Sequence, residues 1–227
     1  VLPTDFLEKP TGWPYKDPYD FMNGKRVDDS VPSKYHRVHD KLYELTNFKH
    51  PGGQLWLNLT CGTDITELFE SHHVDIEKAT TILAKYEVKN TKKLPLRRSP
   101  LTFHQDGFYA TLRKKIFEQH KDVIELGSTM QTIIFADIMV IISLLLTVYA
   151  GTLYADNSRN AILLTIVIGM LNGFFIGIGH NFMHQKTTWR RYYLDFSGFS
   201  SAEFRMHHAL SHHPYTNTTL DAEINSL

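Results

Sequence analysis

Two long apolar stretches dominate the hydrophobic pattern in the second half of the chain. Residues 132–154 and 161–179 are almost continuously apolar, and the only basic residue between them is Arg159. A transmembrane helix needs about 20 predominantly apolar residues, so both stretches are predicted to span a membrane. Lys and Arg flank the outer ends of the pair, at residues 113–121 and 186–191, which favours a helical hairpin with both ends in the cytosol. The alternative is a pair of buried core helices.

Shorter periodicities in the first half of the chain are typical of a small mixed domain. Residues 35–48 predict two short strands joined by a turn at His39-Asp40-Lys41. Residues 64–73 are predicted to be helical because their apolar positions share one helical face, at Ile65, Leu68 and Phe69. Residues 74–86 continue this pattern. The fold class is therefore predicted as α+β, a small mixed domain followed by an all-α region.

Composition indicates where these parts begin and end. Residues 1–33 contain five prolines with several Gly and Asp, which predicts an irregular leader. Residues 88–105 are basic and contain proline, and we expect a linker and a domain boundary there. The small domain then covers residues 34–87, and the all-α region covers residues 106–227.

Residues 108–120 predict an amphipathic helix. Its apolar positions, Phe108, Leu112, Ile116 and Phe117, lie opposite the basic positions Arg113, Lys114 and Lys115. Because apolar spans follow, we favour a helix that lies on the membrane surface. The alternative is a solvated helix that packs on its neighbour.

Asp137 is an acidic residue inside the first predicted span. Such a residue is costly in lipid and is a candidate for function. It can also serve as a hydrogen-bond partner between helices, and we favour that structural role.

Charge and cysteine content exclude some classes of protein. The chain has 24 Lys and Arg and 24 Asp and Glu, so its formal net charge is zero and gives no case for nucleic acid as a partner. Cys61 is the only cysteine, which excludes an internal disulfide and fits a cytosol-facing globular part. The chain begins at Val1 without a signal peptide, so we expect an N-terminal fragment or a short isoform.

Thirteen histidines carry the strongest chemical signal, and most of them lie in three clusters. The first cluster is His50-Pro51-Gly52-Gly53, followed later by His72-His73. Pro51 fixes the backbone after His50, and the two glycines let the chain turn closely around a bulky planar ligand. A second histidine on a later helix could meet a haem iron from the opposite face. Two axial histidines leave the iron no open position, which favours electron transfer.

The other two clusters follow the apolar spans and suit a non-haem metal. His180 and His184 are four residues apart, so a helix places both on one face. His208 and His212 repeat that spacing, with His213 next to them and His207 as a competitor. Imidazole suits zinc, copper, iron and nickel, so these residues alone do not identify the metal.

Residues 41–53 and 64–73, in the order in which they occur, closely resemble the cytochrome b5 family, and the resemblance covers residues 35–86. It implies a haem b with His50 and a later histidine as axial ligands. The spacing in relatives points to His73, with His72 as the second choice. Cys-x-x-Cys-His is absent from the sequence, so such a haem would be held non-covalently.

The segments Gly179–His184 and His208–Asn217 resemble the first two histidine boxes of membrane fatty acid desaturases. The stretch Asp221-Ala222-Glu223-Ile224 resembles the acidic residues that often follow. From residue 35 onward the chain looks most like the insect cytochrome b5-related proteins, in which a cytochrome b5 haem domain is fused to a desaturase domain. This resemblance implies a multi-pass membrane protein, in the endoplasmic reticulum with its haem domain in the cytosol, and a membrane lipid or acyl substrate.

The resemblance also implies a di-iron centre, a cytochrome b5 reductase as partner, and five iron ligands at His180, His184, His208, His212 and His213. A third histidine box, expected further along, is not in this sequence, which leaves desaturase-type oxidoreductase activity open. A hydroxylase would use similar ligands. The alternatives are a membrane-anchored electron carrier without desaturase activity and a non-redox metal-binding scaffold.

Overall fold

The computed structural model describes residues 9–89, 93–97, 99, 101–126, 128–155, 159–185 and 188–225. These residues form two compact units, one of residues 9–121 with 203–225 and the other of residues 122–202.

The predicted fold class is confirmed, because a small two-stranded sheet with short helices is followed by two long apolar helices. In chain order the elements are α1 (Pro18–Asp29), β1 (His36–Val38), β2 (Lys41–Tyr43), α2 (Gln54–Thr60), α3 (Thr66–His72), α4 (Ile76–Leu83), a 3₁₀ turn (Ala84–Tyr86), α5 (Phe108–Leu126), α6 (Met130–Ala155), α7 (Arg159–Met183), a 3₁₀ helix (Trp189–Ser197), α8 (Ser201–Phe204), a π-helix (Arg205–His212), α9 (His213–Tyr215) and α10 (Ala222–Asn225).

The small sheet is the predicted hairpin. Strands β1 and β2 pair antiparallel with Arg37 opposite Leu42, and His39 in the turn adopts a φ of 53°. Arg37 also bridges to Asp64 just before α3, and Tyr43 bridges to Glu87. These backbone contacts tie the hairpin to α3 and to the end of the small domain.

Helices α2, α3 and α4 pack with the hairpin around one apolar core. Its buried members are Val38, Tyr43, Leu45, Leu57, Ile65, Phe69 and Leu83, and Phe48, Leu68 and Tyr86 pack against them at the edge. The predicted helix over residues 64–73 is confirmed as α3, and residues 74–86 form α4 and its 3₁₀ turn. Burial of several large side chains, each contributing about 1.5–3 kcal/mol, stabilises this short domain.

The prediction of an irregular leader is wrong for Pro18–Asp29, which form α1. Asp17 caps this helix, because its carboxylate accepts hydrogen bonds from the first turn. Pro18 occupies the first helical position, where its missing N–H costs nothing. Gly24 lets the preceding segment approach the helix, since a Cβ there would lie 1.9 Å from the Thr11 carbonyl oxygen. In this proline-rich stretch, Pro18 therefore begins a helix instead of marking irregular structure.

Helix α5 contacts the small domain through its basic side. Arg113 donates from Nη1 to the Glu70 backbone oxygen at 2.9 Å and to its carboxylate at 2.6 Å. The apolar side chains of Phe108, Leu112 and Ile116 are exposed, Phe108 by 84%. The amphipathic helix predicted over residues 108–120 is thus present, and its apolar side chains remain available to a membrane surface.

We expect Glu70→Gln to destabilise the protein by about 1–3 kcal/mol at pH 7, because the Glu70 carboxylate accepts charge-assisted bonds from Arg113 and His39. Burial alone would raise the pKa of Glu70, but these hydrogen bonds outweigh it and lower the pKa. The stabilisation is therefore complete above the unfolded value near 4.5 and is lost as pH falls through the lower folded value.

Denaturant unfolding across pH 3–8 checks this expectation. The matched control is Glu118→Gln, which removes an exposed pair with Lys114 at 4.0 Å and should change little at any pH. A Glu70→Gln deficit that persisted unchanged at pH 3 would contradict the argument.

The second unit consists of the helical hairpin α6–α7 and the 3₁₀ helix that follows. Both long helices are long and apolar enough to cross a membrane by length and composition. They extend the helices predicted over residues 132–154 and 161–179 by a few residues at their ends. Most of their large apolar side chains are exposed, while a small core joins α6, α7 and the 3₁₀ helix through Ala136, Val140, Phe175, Phe182 and Tyr193.

Asp137 has the structural role favoured from the sequence. Arg190 donates from Nε and Nη2 to its two carboxylate oxygens at 2.8 and 2.7 Å, and Tyr193 donates its hydroxyl at 2.6 Å. A bidentate arginine–carboxylate pair is geometrically specific and stronger than a neutral hydrogen bond. Asp137 therefore fastens the 3₁₀ helix to α6.

We expect Asp137→Asn to lower the stability of the second unit by about 1–3 kcal/mol, because a neutral amide cannot replace the bidentate ionic pair. Thermal unfolding in detergent, followed by circular dichroism, measures this loss. Tyr192→Phe is the control, since Tyr192 is half exposed and does not contact Asp137 in the described contacts. Equal melting of both variants would count against a structural role for Asp137.

Candidate metal centres

The loop after β2 wraps closely around the imidazole of His50. The Gly52 amide donates to His50 Nδ1 at 3.1 Å. A Cβ at Gly52 would lie 2.9 Å from His50 Cε1, so a side chain there would push the ring away. Gly53 adopts a φ of 110°, which favours glycine. The two glycines after Pro51 are thus explained by the close approach of chain and ring.

His73 lies at the end of α3 and faces His50. The two ring centroids are 6.1 Å apart, and the His73 ring packs on Phe69 at 4.8 Å. His73 Nδ1 lies 2.9 Å from the Phe69 carbonyl oxygen. Because the Phe69 carbonyl oxygen can only accept, His73 Nδ1 carries the proton, and Nε2 is the nitrogen that this ring can offer to a metal.

His72 occupies a different place. Its side chain is exposed, and its Nδ1 contacts the Leu68 carbonyl oxygen at 3.0 Å and the Ser71 hydroxyl at 2.9 Å. No ring contact joins His72 to His50 among the described residues. The geometry therefore places His73, the first choice from the sequence, opposite His50.

The surroundings of this histidine pair suit a flat, largely apolar group. Phe48 packs on His50 at 5.9 Å between ring centroids, and Phe69, Leu57 and Tyr86 belong to the adjoining core. Burial, together with the positive charge of a protonated His73, lowers the pKa of His50, partly offset by a hydrogen bond to the Gly53 backbone. A lowered pKa favours the neutral imidazole, which is the form that binds a metal. A haem fits this donor set.

His180 is in the last turn of α7, and His184 directly follows its last residue, Met183. Their Nε2 atoms are 3.0 Å apart and their ring centroids 4.7 Å apart. Two nitrogen ligands at right angles, each about 2.1 Å from a metal, are themselves about 3 Å apart. This pair therefore has the separation of two neighbouring ligands of one metal ion.

A second histidine segment, residues 205–222, contains the other pair. Its Arg205–His212 part is a π-helix, in which backbone bonds join residues five apart, and the His213 amide donates to the His208 carbonyl oxygen. His208 and His213 therefore face each other, with Nε2 atoms 2.9 Å apart. The spacing argument paired His208 with His212. That pair stacks at 5.5 Å between centroids, and the nitrogen contact belongs to His213.

Carboxylates orient two of these histidines. His208 Nδ1 lies 2.6 Å from Glu223 Oε2, and His212 Nδ1 lies 3.0 Å from Oδ2 of the fully buried Asp221. A carboxylate on Nδ1 fixes the tautomer that leaves Nε2 for a metal. The sequence showed Asp221 and Glu223 only as an acidic stretch after the histidines. Their position soon after the histidines, at alternate residues, was the sequence signal that these carboxylates contact the imidazole rings.

His207 is separate from these pairs. Its ring packs on Phe204 at 5.2 Å, and its Nδ1 is buried without a hydrogen-bond partner among the described residues. Imidazole pairs suit zinc, copper, iron and nickel, so they fit the iron that the sequence resemblance implies.

The facing histidines of the small domain, with apolar side chains beside them, define a candidate haem-binding protein. The sequence model of the family described as Cytochrome b5-like Heme/Steroid binding domain matches residues 25–92, which include His50 and His73. We call residues 25–92 the haem domain. A Cytochrome b5-related protein of Drosophila virilis is 40% identical over 107 residues, covering 46% of this chain and 72% of that protein. The chain belongs to the family of cytochrome b5-related proteins.

Other relatives extend the similarity beyond the haem domain. A Cytochrome b5-related protein of Drosophila melanogaster is 33% identical over 208 residues, covering 91% of this chain and 45% of the relative. Delta(5) fatty acid desaturase A of Dictyostelium discoideum is 27% identical over 215 residues, covering 86% of this chain and 46% of the relative. The chain thus spans just under half the length of these two relatives. No solved structure matches the chain.

Proposed function

We propose that this chain is the electron-transfer part of a membrane system for oxidative modification of lipid acyl chains. In this proposal His50 and His73 hold a haem b, and His180, His184, His208, His212 and His213 hold iron in a di-iron centre. A bound haem would supply a one-electron carrier without an open position, and the iron would supply oxidative chemistry toward the acyl chain. A flavoprotein of the cytochrome b5 reductase type would reduce the haem.

The proposal rests on one observation, namely that the imidazole rings of His50 and His73 face each other. Their rings, 6.1 Å apart, would supply the two imidazole nitrogens that hold an electron-transfer haem. The similarity to a fatty acid desaturase over 86% of this chain supports an acyl substrate. The Nε2 separations of 3.0 and 2.9 Å in the two histidine pairs support a metal at each pair.

We further propose that α6 and α7 span the membrane of the endoplasmic reticulum as a hairpin. The exposed apolar side chains along both helices support this placement, as does the exposed apolar side of α5. Because the basic flanks lie outside the hairpin, the positive-inside rule supports a cytosolic position for the haem domain and the histidine segments. The proposed domains are a cytochrome b5-like haem-binding domain of residues 34–87 and a desaturase-like region of residues 106–227, joined by the basic linker of residues 88–105.

Iron loading tests the metal half of the proposal. The haem-loaded chain is purified in detergent, loaded anaerobically with ferrous iron, desalted and analysed for iron by mass spectrometry. His208→Ala should lose most of the non-haem iron, and His207→Ala is the matched control that should retain it. If both variants retain iron equally, His208 is not a ligand.

Acyl turnover then separates three functions left open by the sequence: a desaturase, a hydroxylase and a membrane-anchored electron carrier. The loaded chain is supplied with a reductase, NADH, dioxygen and phospholipid, and the acyl chains are analysed by gas chromatography. New double bonds would support a desaturase, and hydroxylated chains would support a hydroxylase. Haem reduction by the reductase without iron binding or lipid products would support a membrane-anchored electron carrier instead.

A further inference from the structure

The second histidine segment packs mainly on α1 and the residues before it, and also on the haem domain, through an apolar interface. Both belong to the same compact unit. Met206, Leu210, Tyr215 and Ala222 from the segment are buried against side chains of α1 and the residues before it, and the members from that side are Tyr15, Phe21 and Met22. Trp56, Leu59 and Leu68 of the haem domain pack at the edge. This contact joins parts of the chain that are about 140 to 200 residues apart in sequence.

A buried polar contact lies beside this interface. The Tyr215 hydroxyl donates to Glu67 Oε2 at 3.1 Å, and the two residues are 3% and 2% exposed. Lys25 lies 5.4 Å from the centre of the Tyr215 ring and forms an ion pair with Asp29 at 2.9 Å. A buried carboxylate is tolerated only when its hydrogen bonds are satisfied, so Glu67 requires these neighbours.

The basic linker satisfies the other oxygen of Glu67. Arg97 donates to Glu67 Oε1 and, at 2.7 Å, to Asp64. Arg37 donates to the Pro95 carbonyl oxygen at 2.8 Å, which holds the linker backbone on the haem domain. Three cations, Lys25, Arg37 and Arg97, thus meet three carboxylates, Asp29, Asp64 and Glu67, and the hydroxyl of Tyr215 is the neutral donor that the second histidine segment contributes.

Helix α3 connects this cluster to the haem site. Glu67 is in its first turn, and His73 follows its last residue. Six residues of helix span about 9 Å. The second histidine segment therefore contacts, through Tyr215, the helix whose end carries His73, the candidate haem ligand. Arg205 adds a second contact, since its guanidinium lies 4.7 Å above the Trp56 ring in α2, next to the His50 loop.

We propose that Tyr215 is a positioning residue whose hydrogen bond to Glu67 fastens the second histidine segment to α3 of the haem domain. The haem donor and the histidines of the segment are then held in one compact unit. This arrangement gives electron transfer a fixed geometry. The suggestion that this contact serves electron transfer rests on the proposed function. The contact between Tyr215 and Glu67 does not, because it involves only side chains of this chain.

Hydrogen exchange in the haem-loaded full chain, without added iron or lipid, tests the fastening. Tyr215→Phe removes one hydroxyl and keeps the ring, so folding is preserved. We expect amides of residues 205–222 to exchange about tenfold faster, while the visible spectrum of the haem stays unchanged. Tyr109→Phe is the control, because its hydroxyl bonds to the Glu70 backbone oxygen elsewhere on the haem domain. It should leave exchange in residues 205–222 unchanged.

A double-mutant cycle distinguishes a specific bond from general packing. Glu67→Met removes the acceptor, so adding Tyr215→Phe should then change exchange less than twofold. Multiplicative effects of the two substitutions would overturn the proposal, as would unchanged exchange in Tyr215→Phe alone. If Glu67→Met does not fold, the comparison of Tyr215→Phe with Tyr109→Phe decides. Failure to bind iron would refute the proposed metal centre and leave this result untouched.

Discussion

His50→Ala is expected to abolish the bis-histidine haem spectrum of the chain. The His50 loop holds the ring through the Gly52 amide, and no described side chain next to the ring offers another imidazole except His73. Loss of one axial donor should weaken haem binding at least about 100-fold, equivalent to roughly 2.7 kcal/mol. Visible spectra of the oxidised and dithionite-reduced protein, with a haem titration, measure both effects.

The matched pair His73→Ala and His72→Ala tests which histidine completes the site. His73→Ala should behave like His50→Ala, because its ring faces His50. His72→Ala should keep the bis-histidine spectrum, since His72 is exposed and bonded to Leu68 and Ser71. The opposite outcome would assign the ligand to His72. A wild-type chain that takes up no haem would refute the haem site altogether.

Local patterns were sufficient to predict the elements around His50 and the two apolar helices. The β1–β2 hairpin, α3 and the hairpin of α6 and α7 each follow from periodicity or apolar length within one short stretch. Helix α1 was not predicted, because a high proline content is typical of segments without regular secondary structure. Pro18 starts that helix, and the tight packing of Gly24 on Thr11 is visible only in three dimensions.

Contacts that depend on helix type or on distant residues could not be predicted. The four-residue spacing paired His208 with His212, and this would hold in an α-helix. The π-helix pairs His208 with His213 instead, and no residue type in the segment signals that change. Tyr215 and Glu67 are 148 residues apart, so a single sequence gives no indication of their bond.

Gly179→Ala is expected to destabilise the end of the hairpin that carries His180. A Cβ at Gly179 would lie 2.7 Å from the Leu194 backbone nitrogen and 2.9 Å from its Cα. These atoms belong to the backbone of the 3₁₀ helix and cannot move aside cheaply, so the overlap should cost about 1–3 kcal/mol. His180 is the next residue, and the forced shift should also reduce iron bound through it.

Gly173→Ala on the same helix is the control with the opposite sign. A Cβ at Gly173 meets nothing within 4 Å, so the substitution only improves helix propensity, by about 0.5–1 kcal/mol. Thermal unfolding in detergent should therefore show Gly179→Ala melting below the wild type and Gly173→Ala at or above it. If the two variants have the same melting temperature, the close approach of Leu194 to α7 does not exclude a side chain at position 179. The position of His180 would then depend on other contacts.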